Sequence, residues 1–559
     1  MSDTQEMYDA ITTNNPGRVA QLLKPGKVLF VETKAKAKVN DVSAEGRTAL
    51  GLASECGHKD IVELLLSLGA DPNAGALQHY PLLWAALKGF TDIAALLIAQ
   101  DADVHFEVED TNVLTIAALS GSNEVAAMLV AGGADINAYD AEKNTILSKV
   151  VDRGNFETAE ILLANGAEPD MPIGVIEVTA LHFAALRGDK KIASLLLAKG
   201  ADINSENLGG QSALVQALCA GQTEFAEFLL DNSADVNSGI DVGSSPLIWA
   251  ADKGHEGLVK RMLSMGASIN AVDQDGETSL YRAIDRGFIT IAQLLIDHGA
   301  DVTIPNKQGS TPLNIAAREG REEIVKRIIE LGVDINAADC EGAGPLTWSV
   351  INGHTEIAKL LITQGADVQG IPYELMPFIL CGFRGDLDLT KLLLERNVEV
   401  DTPIGAPRPS HIRGPGDGRE LSEHLVNMGT TFNGKSPLHI AVLNGADELA
   451  KLLVAHGAAT DIKGRDGLYL LTHAAFFGKT ELAGLLIDAG FNVNLQSGEG
   501  ATPLHMASVG DQPELSALLI ANGAEIHALD TKGRTPLAIA KEVDNQKVVD
   551  VLVSNGATH

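Results

Sequence analysis

The chain repeats itself about every 33 residues, and that period limits its fold more than any other property. "SPLIWAADKGHEGLVKRMLSMGASINAVD" (245–273) is followed by "TSLYRAIDRGFITIAQLLIDHGADVTIPN" (278–306) and by "TPLNIAAREGREEIVKRIIELGVDINAAD" (311–339). Leu247, Leu280, Leu313 and Leu346 stand 33 residues apart, as do Gly266, Gly299, Gly332 and Gly365. Leu50, Leu82, Leu114, Leu147, Leu181 and Leu214 extend the series backward; Phe378, Leu438, Leu471, Leu504 and Leu537 extend it forward. Every step is 32–34 residues except the 60 between Phe378 and Leu438, which leaves room for a shortened sixteenth unit. A unit this short cannot enclose a core, so its apolar face must be covered by its neighbours.

Local physics builds each unit. In "STPLNIAAREGREEIVKRIIELGVDIN" (310–336) Thr311 is placed to cap a helix, and Pro312 suits its first turn, where the missing N–H costs nothing. Leu313, Ala316 and Ala317 share one helix face. Gly320 ends that helix, and a second starts near Glu322 with Ile324, Val325, Ile328 and Ile329 as its apolar stripe. Gly332 stops it in the left-handed conformation glycine adopts most easily. The same stop position, 19 residues after each anchor, holds Gly in thirteen of sixteen units, with Asp101, Ser233 and Asn397 as exceptions.

The "TPLH" box at 502–505, the "GADIN" at 133–137 and 200–204, and the 33-residue period resemble ankyrin repeats. The resemblance runs from about residue 44 to the end. It implies an all-α ankyrin-repeat solenoid of helix–turn–helix units with β-turn or hairpin fingers and a concave groove. Residues 1–43 read as an N-terminal capping helix pair (5–24) with an extended finger (27–39), and 44–401 as repeats 1–11. Residues 402–433 read as a degenerate repeat with a Pro/Gly/Arg-rich loop, and 434–559 as four C-terminal repeats including a cap. At helix packing distances of 8–10 Å, sixteen units predict a curved rod on the order of 150 Å.

Composition narrows the function. Seventy-four acidic and 42 basic residues give a net charge of −32. That favours solubility and a monomer, and opposes nucleic acid as a main partner, because phosphate binding needs a basic stripe. The only dense Lys cluster is the short "TKAKAK" (33–38). Cys56, Cys219, Cys340 and Cys381 are too scattered for a disulfide framework or a metal site. The N-terminus lacks a secretory pattern, and no run approaches the roughly 20 apolar residues of a membrane span. A cytoplasmic setting is expected, with the nucleus not excluded and export by a non-standard route an alternative.

No metalloprotease, serine-hydrolase, P-loop, EF-hand or kinase signature appears, so no catalytic residue, cofactor or metal is expected. Most histidines have repeat-given places: His182, His439 and His505 fill the fourth box position, where the resemblance implies hydrogen bonds between repeats. His58, His255 and His354 follow the inter-helix Gly; His298 and His456 precede the stop Gly. Trp84, Trp249 and Trp348, two residues after an anchor, are expected to fill the core.

The resemblance implies a binding groove lined by the finger ahead of each anchor and by the helix end five and six residues after it. Those positions are apolar early (Leu77, Leu87, Phe106, Leu119, Tyr139, Leu186, with Arg153 and Arg187) and charged in the middle (Asp252, Asp275, Glu277, Asp285, Arg318, Glu319). They are apolar and aromatic late, at Tyr373, Phe383, Phe432, Leu443, Leu468, Phe476 and Phe477. Aromatic clusters on a chain with 4% aromatics mark an interaction surface.

In the degenerate unit, aligned by Gly429, Pro409 and His411 fall on the box and Ser410 replaces the anchor. "RGPGDG" (413–418) breaks the first helix, while 420–428 keeps the pattern of a stacked second helix. Arg408, His411, Arg413 and Arg419 then form a candidate anion-binding lip. The expected function is a scaffold or adaptor holding a protein or peptide in the groove. The alternatives are an enzyme with a pocket near 402–433, drawing general acid/base groups from Asp386, Asp388, Asp466, His411, His439 and His473, or a secreted effector acting on a host protein.

Overall fold

A computed structural model describes residues 3–23, 39–43, 45–76, 79–108, 111–239, 245–340, 342–368, 386–396, 398, 400–401, 436–443, 446–459 and 470–558. These form two compact units, Met1–Gln274 and Asp275–His559. Among the described residues there are thirty-one helices and one hairpin, β1 (Glu107–Val108) paired antiparallel with β2 (Thr111–Asn112). The first unit opens with helices Asp3–Thr12 and Pro16–Leu23, tied to the next layer by the Tyr8 hydroxyl, which donates to the Arg47 carbonyl at 2.8 Å. Seven helix pairs follow, from Ala49–Cys56 with Lys59–Ser67 to Pro246–Asp252 with Glu256–Ser264. Among its described residues the second unit has seven helix pairs, from Ser279–Arg286 with Ile289–Asp297 to Pro536–Glu542 with Gln546–Ser554, and helix Leu387–Leu394 of the Phe378 layer.

Each layer obeys the local rules. The Thr311 hydroxyl caps helix Pro312–Arg318 by accepting the Asn314 amide, and Thr48, Thr145, Thr278 and Thr535 cap theirs in the same way. None of the described anchor leucines is more than 3% exposed, and each buried Leu side chain is worth roughly 1.5–3 kcal/mol. Gly332 ends its helix at φ 76°. Asp101 (φ 59°) and Ser233 (φ 68°) keep the left-handed stop without glycine; Asn397 lies outside the described residues.

Two polar ladders run between neighbouring layers. The His182 Nδ1 accepts the Thr179 amide at 3.1 Å, so its Nε2–H donates to the Gln211 carbonyl of the next layer at 2.9 Å. His505 repeats this with Thr502 and the Arg534 carbonyl; the His439 ring is outside the described residues. The second ladder follows the stop glycine. Asn137 accepts the Glu168 amide (3.0 Å), Asn237 the Ser268 amide (2.8 Å) and Asn494 the Glu525 amide (2.8 Å), each 31 residues on. The carboxamides also donate to the carbonyls of Gly166, Gly266 and Gly523.

At Asp401 this ladder spans a longer stretch of chain. Asp401 holds the Asn position of the Phe378 layer, and its carboxylate accepts the Ala459 amide at 2.8 Å, 58 residues on. Ala459 belongs to the Leu438 layer, and helix Leu387–Leu394 packs on Asp447–Ala455, the second helix of that layer. The Phe378 and Leu438 layers therefore meet directly at these residues. The expected shortened repeat at 402–433, with 420–428 as its second helix, lies outside the described residues.

Candidate protein-binding groove

In both units the fingers and the first helices face each other, and side chains bridge them. Lys149 on helix Ile146–Asp152 pairs with finger Asp140. Arg282 on helix Ser279–Arg286 meets finger Glu277 at 2.8 Å and Asp275 at 3.6 Å. The Trp348 indole donates to finger Asp339 at 2.9 Å, and finger Arg534 reaches Glu542 at 2.9 Å. The space between is a groove with the ends of the first helices as its floor.

Late in the second unit that floor is apolar. Phe476 and Phe477 are 36% and 52% exposed, with ring centroids 5.1 Å apart in an edge arrangement. The next two layers add Val509 (38%) and Val543 (44%), and the finger contributes Leu529 (56%). A β-carbon at Gly510 would overlap the Phe476 carbonyl oxygen, so glycine lets this layer approach. The sequence reading missed Val509, Leu529 and Val543, although the two valines occupy the floor positions that picked out the phenylalanines. Tyr373, Phe383, Phe432 and Leu468 lie outside the described residues, as do the Leu443 side chain and Arg408, His411, Arg413 and Arg419. The acid/base candidates Asp466, His411 and the His439 ring fall there too.

Earlier in the second unit the floor is charged and self-neutralised. Arg318 reaches Asp285 at 3.1 Å and Glu319 at 3.0 Å, and its guanidinium stands 6.0 Å from the Trp348 ring centre. The tryptophans are half-buried instead of core. The position two after an anchor turns toward the groove, so Trp249 meets Lys253 at 5.7 Å and only the Trp84 indole nitrogen is buried without a partner.

In the first unit, Leu87 (43%) and Leu186 (46%) are exposed on the floor and Leu119 is half-buried. Phe106 is half-buried and stacks on Tyr80 at 3.7 Å; the Tyr80 hydroxyl is pushed up to about 12, chiefly by burial. Tyr139 is exposed, its hydroxyl donating to the Pro172 carbonyl at 2.9 Å. Arg187 is exposed but anchored: its guanidinium donates to the Asp152 carbonyl at 2.8 Å. Arg153 donates likewise to the Leu119 carbonyl (3.1 Å), Gln222 to Leu186 (3.3 Å) and Asn545 to Ser508 (2.8 Å). Each satisfies an open carbonyl at the end of the preceding layer's first helix. The finger tips add Val175, Ile176 and Leu208, locked together where the Leu208 amide donates to the Ile176 carbonyl at 3.0 Å.

No group of three or more His, Cys, Asp or Glu among the described residues is placed to hold a metal ion. No helix among them is long and apolar enough to cross a membrane.

With layers, ladders and groove in place, comparison gives the family. Models of ankyrin repeats in three copies match residues 75–140, 147–240, 237–306, 302–370, 376–497 and 471–559, and a single ankyrin repeat matches 45–76. The chain belongs to the ankyrin repeat family, whose repeats are in general protein–protein interaction modules. It is 40% identical over 79 residues to a putative ankyrin repeat-containing protein of Treponema pallidum (strain Nichols), 14% of this chain and 26% of that one. It is 60% identical over 37 residues to E3 ubiquitin-protein ligase XBAT33 of Arabidopsis thaliana, 7% of each. The chain thus spans about a quarter or less of these relatives. The crystal structure of the ankyrin repeat domain of Bcl-3 aligns with 40% of this chain and 100% of that one, at 29% identity and TM-score 0.36.

Proposed function

We propose that this protein is a recognition scaffold that holds a protein or peptide partner in its groove. The observation that carries the reading is the exposed Phe476–Phe477 pair, continued by Val509 and Val543 on the next two layers. Rings displayed on a rigid floor dominate binding energy at interfaces, because little side-chain freedom is lost on docking. Three described cysteines, Cys56, Cys219 and Cys340, are free thiols, in keeping with a reducing, cytoplasmic setting as part of the same proposal.

The test is selection of peptides from a random displayed library on the full chain, repeated on F476A/F477A. Loss of roughly 2 kcal/mol or more of affinity for the enriched peptides, with an unchanged unfolding transition, supports the reading. Unchanged affinity in the double variant removes it.

A further inference from the structure

We propose that the groove of the first unit selects an extended peptide segment with apolar side chains and carboxylates on one edge. This rests on the reading of the groove as a binding surface and names the chemistry of one partner. The floor alternates two features in register: Leu87 with Lys88, and Leu186 with Arg187, each at the end of a first helix, with Arg153 between them. All three cations are exposed, and no described carboxylate lies within 4.0 Å of any of them. Several cations on the second helices of this unit are spent otherwise: Lys59 pairs with Asp92, Lys190 with Glu224 and Arg261 with Asp231, and Lys191 stands over the Phe156 ring. In a chain of net charge −32, this floor presents three cations with no described carboxylate within 4.0 Å.

The arginines are also held in place. Arg187 is fixed by the Asp152 carbonyl and lies over Gly154, where a β-carbon would sit 2.7 Å from its Nη2. Arg153 is fixed by the Leu119 carbonyl one layer earlier. Each guanidinium keeps further N–H groups for a carboxylate, and the ordering cost is met before the ligand arrives. The acids of this groove stand mainly on the fingers, at Glu142 and Glu177, with Asp152 the acid on this stretch of floor. A peptide carboxylate is therefore drawn to the floor edge and repelled from the finger edge. Layers about 8–10 Å apart match every third residue of a chain extended in the polyproline-II conformation, which rises about 3.1 Å per residue and returns each third side chain to the same edge.

Gln222 supplies the control. It makes the same carbonyl bond as the arginines with no charge, so R153Q/R187Q keeps the helix-end bond and removes only the cations. Three fluorescent peptides of about 15 residues serve as probes: repeats of Leu-Glu-Ser, Leu-Gln-Ser and Leu-Lys-Ser. Anisotropy titrations on the full chain are run at about 50 and about 300 mM salt. Leu-Glu-Ser is expected to bind about tenfold or more tighter than the other two, to weaken with salt, and to lose that advantage on R153Q/R187Q. Equal binding of the three peptides, or an undiminished advantage in the double variant, overturns the selection for carboxylates. If binding is then also insensitive to L87A/L186A, the groove reading of this unit fails as well. Loss on L87A/L186A with no charge preference leaves that reading standing and removes only this inference. Absence of binding by all three peptides overturns the proposal.

Discussion

Asp401 accepts the Ala459 amide at 2.8 Å across 58 residues, the bond that elsewhere joins residues 31 apart. Relative to that spacing the chain carries 27 additional residues here. Removing 27 residues from 402–435 restores the ordinary spacing. The shortened chain is expected to keep its far-ultraviolet circular dichroism per residue and its unfolding midpoint within about 4 °C. A structural layer at this place would make the deletion cost far more, and loss of the cooperative transition contradicts the adjacency.

Where the box histidine is absent, buried polarity is left over. Asn314 occupies that position after Thr311-Pro312-Leu313, and both its side-chain polar atoms are buried without a partner. Asn314→His places Nδ1 on the Thr311 amide and Nε2 on the carbonyl of Ala343, as His182 does with Thr179 and Gln211. We expect stabilisation of about 1–2 kcal/mol in urea unfolding. A less stable variant refutes the bridge as the reason for the residue.

Two glycines separate space from propensity. Gly484 lies inside helix Thr480–Asp488, and a β-carbon there meets only Leu518 Cδ2 at 3.9 Å. Gly484→Ala is expected to stabilise by about 0.5–1 kcal/mol. Gly510→Ala drives the methyl into the Phe476 carbonyl and is expected to cost about 1–3 kcal/mol. Chemical denaturation of the two variants side by side checks both signs.

Burial holds the His182 and His505 imidazoles below the ordinary histidine value, against the smaller opposing pull of the carbonyls they meet. The unfolded chain therefore binds protons first, near pH 6.5, and stability falls as pH drops from there through the folded values. Above pH 6.5 the contribution of these two rings is complete. Urea midpoints measured from pH 7.5 to 5 should decline, and decline less in H182Q/H505Q. An equal slope in the variant contradicts the role of these rings.

Much of the layer was readable because its rules are local. Thr311, Pro312, Leu313 and Gly332 act within one helix pair, and the structure places each in the expected role. Features that depend on a neighbouring layer were less readable. Nothing within its own repeat reveals that Arg187 is anchored on Asp152, or that Gly510 exists to admit the Phe476 carbonyl. Trp84, Trp249 and Trp348 looked like core because their spacing is helical, yet that position turns partly toward the groove. The helix pattern of 420–428 marks the limit of period alone, which does not say whether a segment joins the stack.

The account rests on partners entering the groove and not the outer helices. Leu331 and Val553 supply the control, since they are as exposed as Phe477 (49%, 52% and 52%) but belong to second helices or their ends. A photo-crosslinking residue is placed singly at 477, 186, 331 and 553, and the library-selected peptides are added. The account predicts peptide-specific crosslinks from 477 or 186 and none from 331 or 553. Crosslinks confined to 331 and 553 would contradict it.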